Sequence, residues 1–223
     1  MVSVYSYCLL SVSLIGYLAI VSHACTNGEI NDNTVTEKDI SDVIQAHNDY
    51  RATVALGHLE DQPPAQDMQK MTWDSELADR AQYWANQCMF KHDGDRGKNT
   101  GQNLYIIYYG GPHAERQHNF TQAVESWYGE HKYYTYKKLE SGDSNDPTTQ
   151  TGHYTQVVWA DTNKVGCGFA SYYQTEKEQD QILYVCNYAP AGNYIGQYPY
   201  IDGKTDCKGN GMSNSDIDGL CKL

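Results

Sequence analysis

Apolar and polar positions alternate with a helical period in three stretches of the chain. In the first, Ile40, Val43, Ile44, His47, Tyr50 and Val54 fall on one face, and Gly57 follows as a stop. Thr36 with Asp39 predicts a capping box at its start, with Asp in place of the preferred Glu. A second helix is predicted from Asp74 or Ser75, turning Leu77, Ala81, Trp84, Ala85 and Cys88 inward. A third begins near Asn119 and carries Phe120, Ala123, Val124, Trp127 and Tyr128. Between them, 58–72 with Pro63-Pro64 and 91–100 read as loops, and 104–109 as a short strand. The run 139–152 is rich in Ser, Asp, Asn and Thr and is predicted to be loop. Three β-like runs follow at 154–160, 165–173 and 182–189, rich in Val, Tyr and Trp. Residues 25–35 are polar and without a period, so they read as an arm. The Gly- and Asp-rich stretch 191–223 reads as a tail. No repeat interrupts this order. Helices mixed irregularly with a small antiparallel sheet predict an α+β layered domain.

The first 24 residues are of another kind. They contain no Asp, Glu, Lys or Arg, residues 8–21 are mostly apolar, and Ser22-His23-Ala24 offers small residues where a signal peptidase cuts. This predicts a secretory signal peptide over 1–24. The alternative is an uncleaved anchor, but Ser11, Ser13 and Gly16 interrupt the run below the span of about 20 apolar residues a membrane helix needs. Cys25 is no lipoprotein cysteine, since position 22 is Ser rather than Leu or Val. Cleavage takes Cys8 with it, so seven cysteines become six: Cys25, Cys88, Cys167, Cys186, Cys207 and Cys221. An even number in an exported chain predicts three disulfides. No C-x-x-C pair is present to suggest a zinc ribbon. Cys167 and Cys186 fall in neighbouring β-runs that adjacent antiparallel strands would bring to bridging distance. Cys207–Cys221 and Cys25–Cys88 are the other expected pairs. Asn119-Phe120-Thr121 is the one N-glycosylation acceptor in the sequence.

The formal net charge is −12. A chain this acidic repels phosphate backbones and anionic membrane surfaces, which argues against nucleic acid as a partner. No second run approaches spanning length, so the expected protein is not membrane-embedded. Twenty Tyr against three Phe place many hydroxyls at the edges of apolar clusters. No G-x-S-x-G or H-E-x-x-H pattern occurs, and paired cysteines leave no thiol nucleophile. Candidate chemistry is confined to scattered histidines and carboxylates, and their spacing alone favours surface or structural roles.

Four elements in order carry a resemblance. They are His47-Asn48-Asp49-Tyr50-Arg51, Gly101-Gln102-Asn103-Leu104, Gly152-His153-Tyr154-Thr155-Gln156-Val157-Val158-Trp159, and Tyr184-Val185-Cys186-Asn187-Tyr188-Ala189-Pro190-Ala191-Gly192-Asn193-Tyr194. Over residues 40–195 the chain resembles the CAP superfamily of cysteine-rich secretory, antigen-five and pathogenesis-related proteins. Trp84-Ala85-Asn86-Gln87-Cys88 ahead of His92 is most similar to the insect-venom antigen-five and helminth venom-allergen-like branch.

The resemblance implies a three-layer α-β-α sandwich with a small central antiparallel sheet. With the signal peptide read over 1–24, it implies a CAP domain over 25–196, and a short disulfide-closed extension over 197–223 lies outside the resemblance. It implies a cleft with His92, Glu130 and His153 as a weak metal set for zinc or magnesium, no cofactor being required. Gln102 takes the fourth position, where many members have Glu. The alternative there is a hydrogen-bonded polar cluster. His47 and Arg51 are read as structural. Tyr128, Tyr133, Tyr134 and Tyr136, where the third helix runs into a loop, imply a sterol- or lipid-binding lip; packing of the loop by its tyrosines is the alternative.

The expected function is therefore that of a secreted, extracellular effector binding a sterol or fatty acid, with no catalytic residues. Two alternatives remain: a metal-dependent hydrolase or protease using the His/Glu cleft, and an immunomodulator that acts on a host or extracellular protein partner without lipid. A channel-blocking toxin is discounted, because the tail carries only two cysteines.

Overall fold

The computed structural model describes residues 25, 28–111, 113–142 and 150–223. The signal peptide expected over 1–24 lies outside the described residues. In chain order the elements are β1 (Gly28–Asp32), α1 (Glu37–Ala55), β2 (Thr72–Trp73), α2 (Ser75–Ala85), β3 (Gly101–Tyr109) and α3 (Phe120–Tyr128). A 3-10 turn (Gly129–Tyr133) follows, then α4 (Gly152–Val157), β4 (Lys164–Gln174), β5 (Gln179–Ala189), β6 (Ser213–Asn214) and β7 (Cys221–Lys222). The main sheet runs β1-β4-β5-β3, all antiparallel, with the short β2 added parallel to β4. Among the described residues no helix is long and apolar enough to cross a membrane.

The pleat of β4 and β5 sends alternate residues to two cores. On one side, Val165, Cys167, Phe169, Ile182, Tyr184 and Tyr188 pack with α1, α3 and α4. On the other, Ala170, Tyr172, Leu183 and Val185 pack with Ala81 and Ala85 of α2. This is the three-layer α-β-α sandwich the resemblance implies. Gly166 and Gly168 project toward α2, and a Cβ on either would overlap the α2 backbone at Ala78 or Gln82. Glycine there sets how closely helix and sheet approach.

The capping box at α1 is present: Asp39 N–H donates to Thr36 Oγ1, and Thr36 N–H donates to Asp39 Oδ2. His47 and Arg51 are structural. Both are fully buried, and the five N–H groups of Arg51 donate to the carbonyls of Gln69, Val157, Trp159, Ala160 and Thr162. Those bonds tie α1 to the end of α4 and to the loops at 69 and 159–162. Desolvation lowers the Arg51 pKa to about 9, still cationic at neutral pH. The three expected disulfides form, with Cα separations of 5.1, 4.1 and 5.4 Å for Cys25–Cys88, Cys167–Cys186 and Cys207–Cys221. Cys167 and Cys186 face each other directly across β4 and β5.

Three expectations are corrected. The β-like run at 154–160 is instead α4 and the turn after it. It is buried on every side, from Tyr154 to Ala160, so no polar face exposes the helical period. The polar arm contains β1, an edge strand whose pairing with β4 overrides weak strand propensity in Gly-Glu-Ile-Asn-Asp. The strand expected at 104–109 begins at Gly101. The segment 197–223 closes on Cys207–Cys221 as expected and is also part of the core. Tyr200 and Leu220 are buried in the main cluster, and Cys221 exchanges backbone hydrogen bonds with Met68 and Lys70.

Candidate functional site

His92 follows α2, Gln102 opens β3, Glu130 lies in the 3-10 turn after α3, and His153 sits in the first turn of α4. Gln102 is held from two sides. Its Nε2 donates to Asn187 Oδ1 at 2.9 Å, and its Oε1 accepts the Asp93 N–H at 3.0 Å. That fixes Oε1 as the atom 3.0 Å from His92 Nδ1, so His92 Nδ1 carries the hydrogen. Glu130 is held likewise: Oε2 accepts the N–H groups of His153 and Tyr154, and Oε1 lies 2.7 Å from His153 Nδ1. Because Thr151 gives α4 no side-chain cap, Glu130 fills that place from another element. A carboxylate can only accept, so neutral His153 also carries its hydrogen on Nδ1. Both rings therefore have their lone pair on Nε2. Burial, then the charges of Arg96 and His153, holds the His92 pKa below the ordinary imidazole value.

As a metal set these residues are thin. Gln102 Oε1 and Glu130 Oε2 each accept two hydrogen bonds, whereas Glu130 Oε1 accepts only that of His153 Nδ1 and keeps a lone pair beside the two imidazole nitrogens. Among the described residues no group of three or more His, Cys, Asp or Glu is arranged to hold an ion. A zinc site with open positions has three protein ligands. The pattern here, each Nδ1–H bonded to a fixed acceptor, is that of partners orienting a ligand rather than of four ligands. Asp93, Asn187 and Asn103, whose Nδ2 donates to the His153 carbonyl, also build the cleft. Asn187 and Asn103 stand within the sequence motifs, but nothing in their spacing announces what they orient.

The four tyrosines of the expected lip divide. Tyr128 is buried and stacks on Tyr50 with ring centres 3.9 Å apart, and burial pushes its hydroxyl up to about 12. Tyr134 is buried, and its hydroxyl donates to the Lys137 carbonyl. Tyr133 is 52% exposed beneath the Lys132 ammonium. Tyr136 is half-buried, donates to the Tyr200 carbonyl at 2.7 Å, and stacks on Tyr198 at 4.9 Å. Tyr136, Tyr198 and Trp159 line a groove of about 660 Å³. Tyr198 comes from the tail, beyond the motifs, so sequence alone does not pair it with Tyr136. Asn119 is exposed at the start of α3. Its Oδ1 accepts the Thr121 N–H and leaves Nδ2, the atom a glycan would occupy, outside that bond.

The sequence model of the cysteine-rich secretory protein family, CAP, matches residues 44–188. Salivary antigen-5 of Dipetalogaster maximus is 36% identical over 228 residues, covering 96% of this chain and 88% of that protein. Venom allergen 5 of Vespula flavopilosa is 38% identical, covering 79% of this chain and 86% of that one. Among solved structures, that of NaASP2 with Zn2+ has a TM-score of 0.70 at 30% identity, covering 86% of this chain and 100% of its own. Schistosoma mansoni venom allergen-like protein 4 has a TM-score of 0.57 at 27% identity, covering 76% and 97%.

Proposed function

Because the chain belongs to the cysteine-rich secretory protein family, CAP, we propose that it is a secreted extracellular binder of a small apolar ligand, a sterol or a fatty acid. The relatives named for saliva and venom and the three disulfides support export. The observation that carries the ligand reading is the groove of about 660 Å³ walled by Tyr136, Tyr198 and Trp159. Its size suits a small organic molecule, and its rings offer flat apolar faces edged with hydroxyls. The reading moves the contact surface from the whole tyrosine run to Tyr136 with the tail. Tyr128 and Tyr134 serve it by packing the turn in place.

The histidine cleft supports a second, separate site. His92 and His153 present Nε2 lone pairs with the tautomer already fixed, which suits weak zinc binding through two imidazoles, whereas magnesium takes oxygen ligands and is the poorer fit. The reading assigns no catalytic step to them. The NaASP2 structure contains Zn2+, which motivates zinc as the probe. One set of variants tests both sites. Removing a buried aromatic contact is worth roughly 1.5–3 kcal/mol, about tenfold or more in affinity. Tyr136→Ala is expected to weaken cholesterol binding by about that factor while zinc binding stays unchanged. His92→Ala/His153→Ala is expected to abolish zinc binding and leave lipid binding intact. Circular dichroism checks each fold. Normal lipid binding by Tyr136→Ala overturns the groove, and an absence of lipid binding by the unaltered protein turns the reading toward a protein partner.

A further inference from the structure

Three carboxylates ring the tyrosine groove: Asp67, Asp161 and Asp202. Asp67 is drawn inward by the Ile201 N–H, and burial and the charge of Asp161 push its pKa up. Among the described residues, none of the three is paired with a Lys, Arg or His. The guanidinium of Arg51 lies close enough to feel Asp67 and Asp161, yet its five N–H groups are all spent on backbone carbonyls. Its charge nevertheless remains, and together with the Lys138 ammonium it offsets two of the three carboxylates, so the rim keeps a small excess of negative charge beside an aromatic wall. A second observation shows what that wall draws. The chain's own Lys138 holds its ammonium 5.8 Å from the centre of the Tyr198 ring. That is cation–π range, and Tyr198 is 44% exposed, so its ring remains open to solvent.

We propose that this groove selects an organic cation, an apolar or aromatic body carrying a protonated amine, and disfavours carboxylate or sulfate headgroups. The inference rests on the groove reading above and adds the sign of the ligand's charge. The apolar body lies against Tyr136, Trp159 and Ile201. The ammonium lies over the Tyr198 face and within the field of the three aspartates, where attraction is stronger than in open water. A fatty acid would place its carboxylate in the same field and be repelled, so of the two ligands named above the charge inference sets the fatty acid aside and keeps the neutral sterol.

The test uses three molecules with one tail and different heads: octylammonium, 1-octanol and octanoate, titrated calorimetrically into the full mature chain at low salt. Octylammonium is expected to bind about tenfold tighter than 1-octanol, the scale of a partly desolvated cation–π contact joined to a close charge, and octanoate weakest of the three. Asp161→Asn/Asp202→Asn removes that preference. Glu29→Gln/Asp79→Asn, which removes the same two negative charges from β1 and α2 instead, retains it. Tyr198→Leu keeps apolar bulk and costs the amine more than the alcohol. Lys138→Gln, by clearing the competing ammonium, tightens the amine. Equal binding of all three molecules, or loss of preference in the Glu29/Asp79 variant, overturns the charge inference while the groove stands. If none of the three binds, the charge inference falls, and the cholesterol titration decides the groove separately.

Discussion

A histidine sealed in the core makes acid a denaturant here. His47 has one ring nitrogen 2.8 Å from the Val43 carbonyl, and the other 2.9 Å from the Tyr188 hydroxyl. Nδ1–H donates to the carbonyl, so Nε2 accepts from the tyrosine. Protonation would turn that acceptor into a donor in a site closed to solvent. Desolvation, reinforced by the Arg51 charge, lowers its pKa from 6.5 to about 4. The unfolded chain thus binds a proton between those two values that the folded chain refuses, and stability is lost as pH falls through that window. At 1.36 kcal/mol per pKa unit, the loss approaches about 3 kcal/mol by pH 4. Urea unfolding at pH 7, 5.5 and 4.5 is expected to show this slope, and His47→Gln to flatten it while lowering stability at neutral pH. An unchanged slope in the variant would assign the acid sensitivity elsewhere. The H-N-x-x-R spacing made His47 and Arg51 legible as structural. The five carbonyls that Arg51 serves were not, because they come from 18 to 111 residues downstream.

Elements meet where the side chains are smallest. The Gly166-Cys167-Gly168 spacing puts both glycines on one face of β4, because strand side chains alternate, and that face lies against α2. An alanine at Gly166 would push into backbone at Asp74, Leu77 and Ala78, which no rotamer change relieves. Gly166→Ala is expected to cost about 2 kcal/mol or more, at the scale of overpacking a tight core. Gly129→Ala, with nothing near the added methyl and ordinary helical φ and ψ, is expected to be neutral or stabilising by up to about 1 kcal/mol. Thermal unfolding of the two variants side by side checks the contrast, and equal losses would show that the α2 interface yields. Composition rich in Val and Tyr found β4 and β5, which are buried on both faces, and periodicity found α1, α2 and α3 because each has a polar face. It failed for α4, where Thr155 and Gln156 are buried and bonded inside, Thr155 to Asn193 and Gln156 to Thr162. It failed for β1, whose strand character comes from its partner rather than its residues. The histidine cleft was legible only through the motifs, since four elements far apart in the chain supply His92, Gln102, Glu130 and His153.

At the scale of the whole molecule, the last 27 residues decide where the domain ends. Their composition reads as an appendage, and the family match stops at residue 188. Yet the backbone of 199–206 bonds to residues 64–66 and 160, and Cys221 closes on 68–70. Tyr200 fills the main core, and Tyr198 walls the groove with Tyr136. Removing 197–223 therefore opens the core, strips carbonyl and N–H partners from the 62–71 loop, and takes away half of the groove. A chain ending at Gly196 is expected to lose cooperative unfolding and ligand binding together. Cys207→Ser/Cys221→Ser cuts only the covalent closure, whose cysteines are 14 residues apart. Its cost is about 3 kcal/mol, the entropy of a loop of that size, so this variant is expected to fold at 25 °C and melt earlier. Calorimetric melting of the three proteins, followed by a cholesterol titration of whichever fold, makes the comparison. If the chain ending at Gly196 melts cooperatively and binds as the full protein does, the tail is an appendage and the groove lies elsewhere.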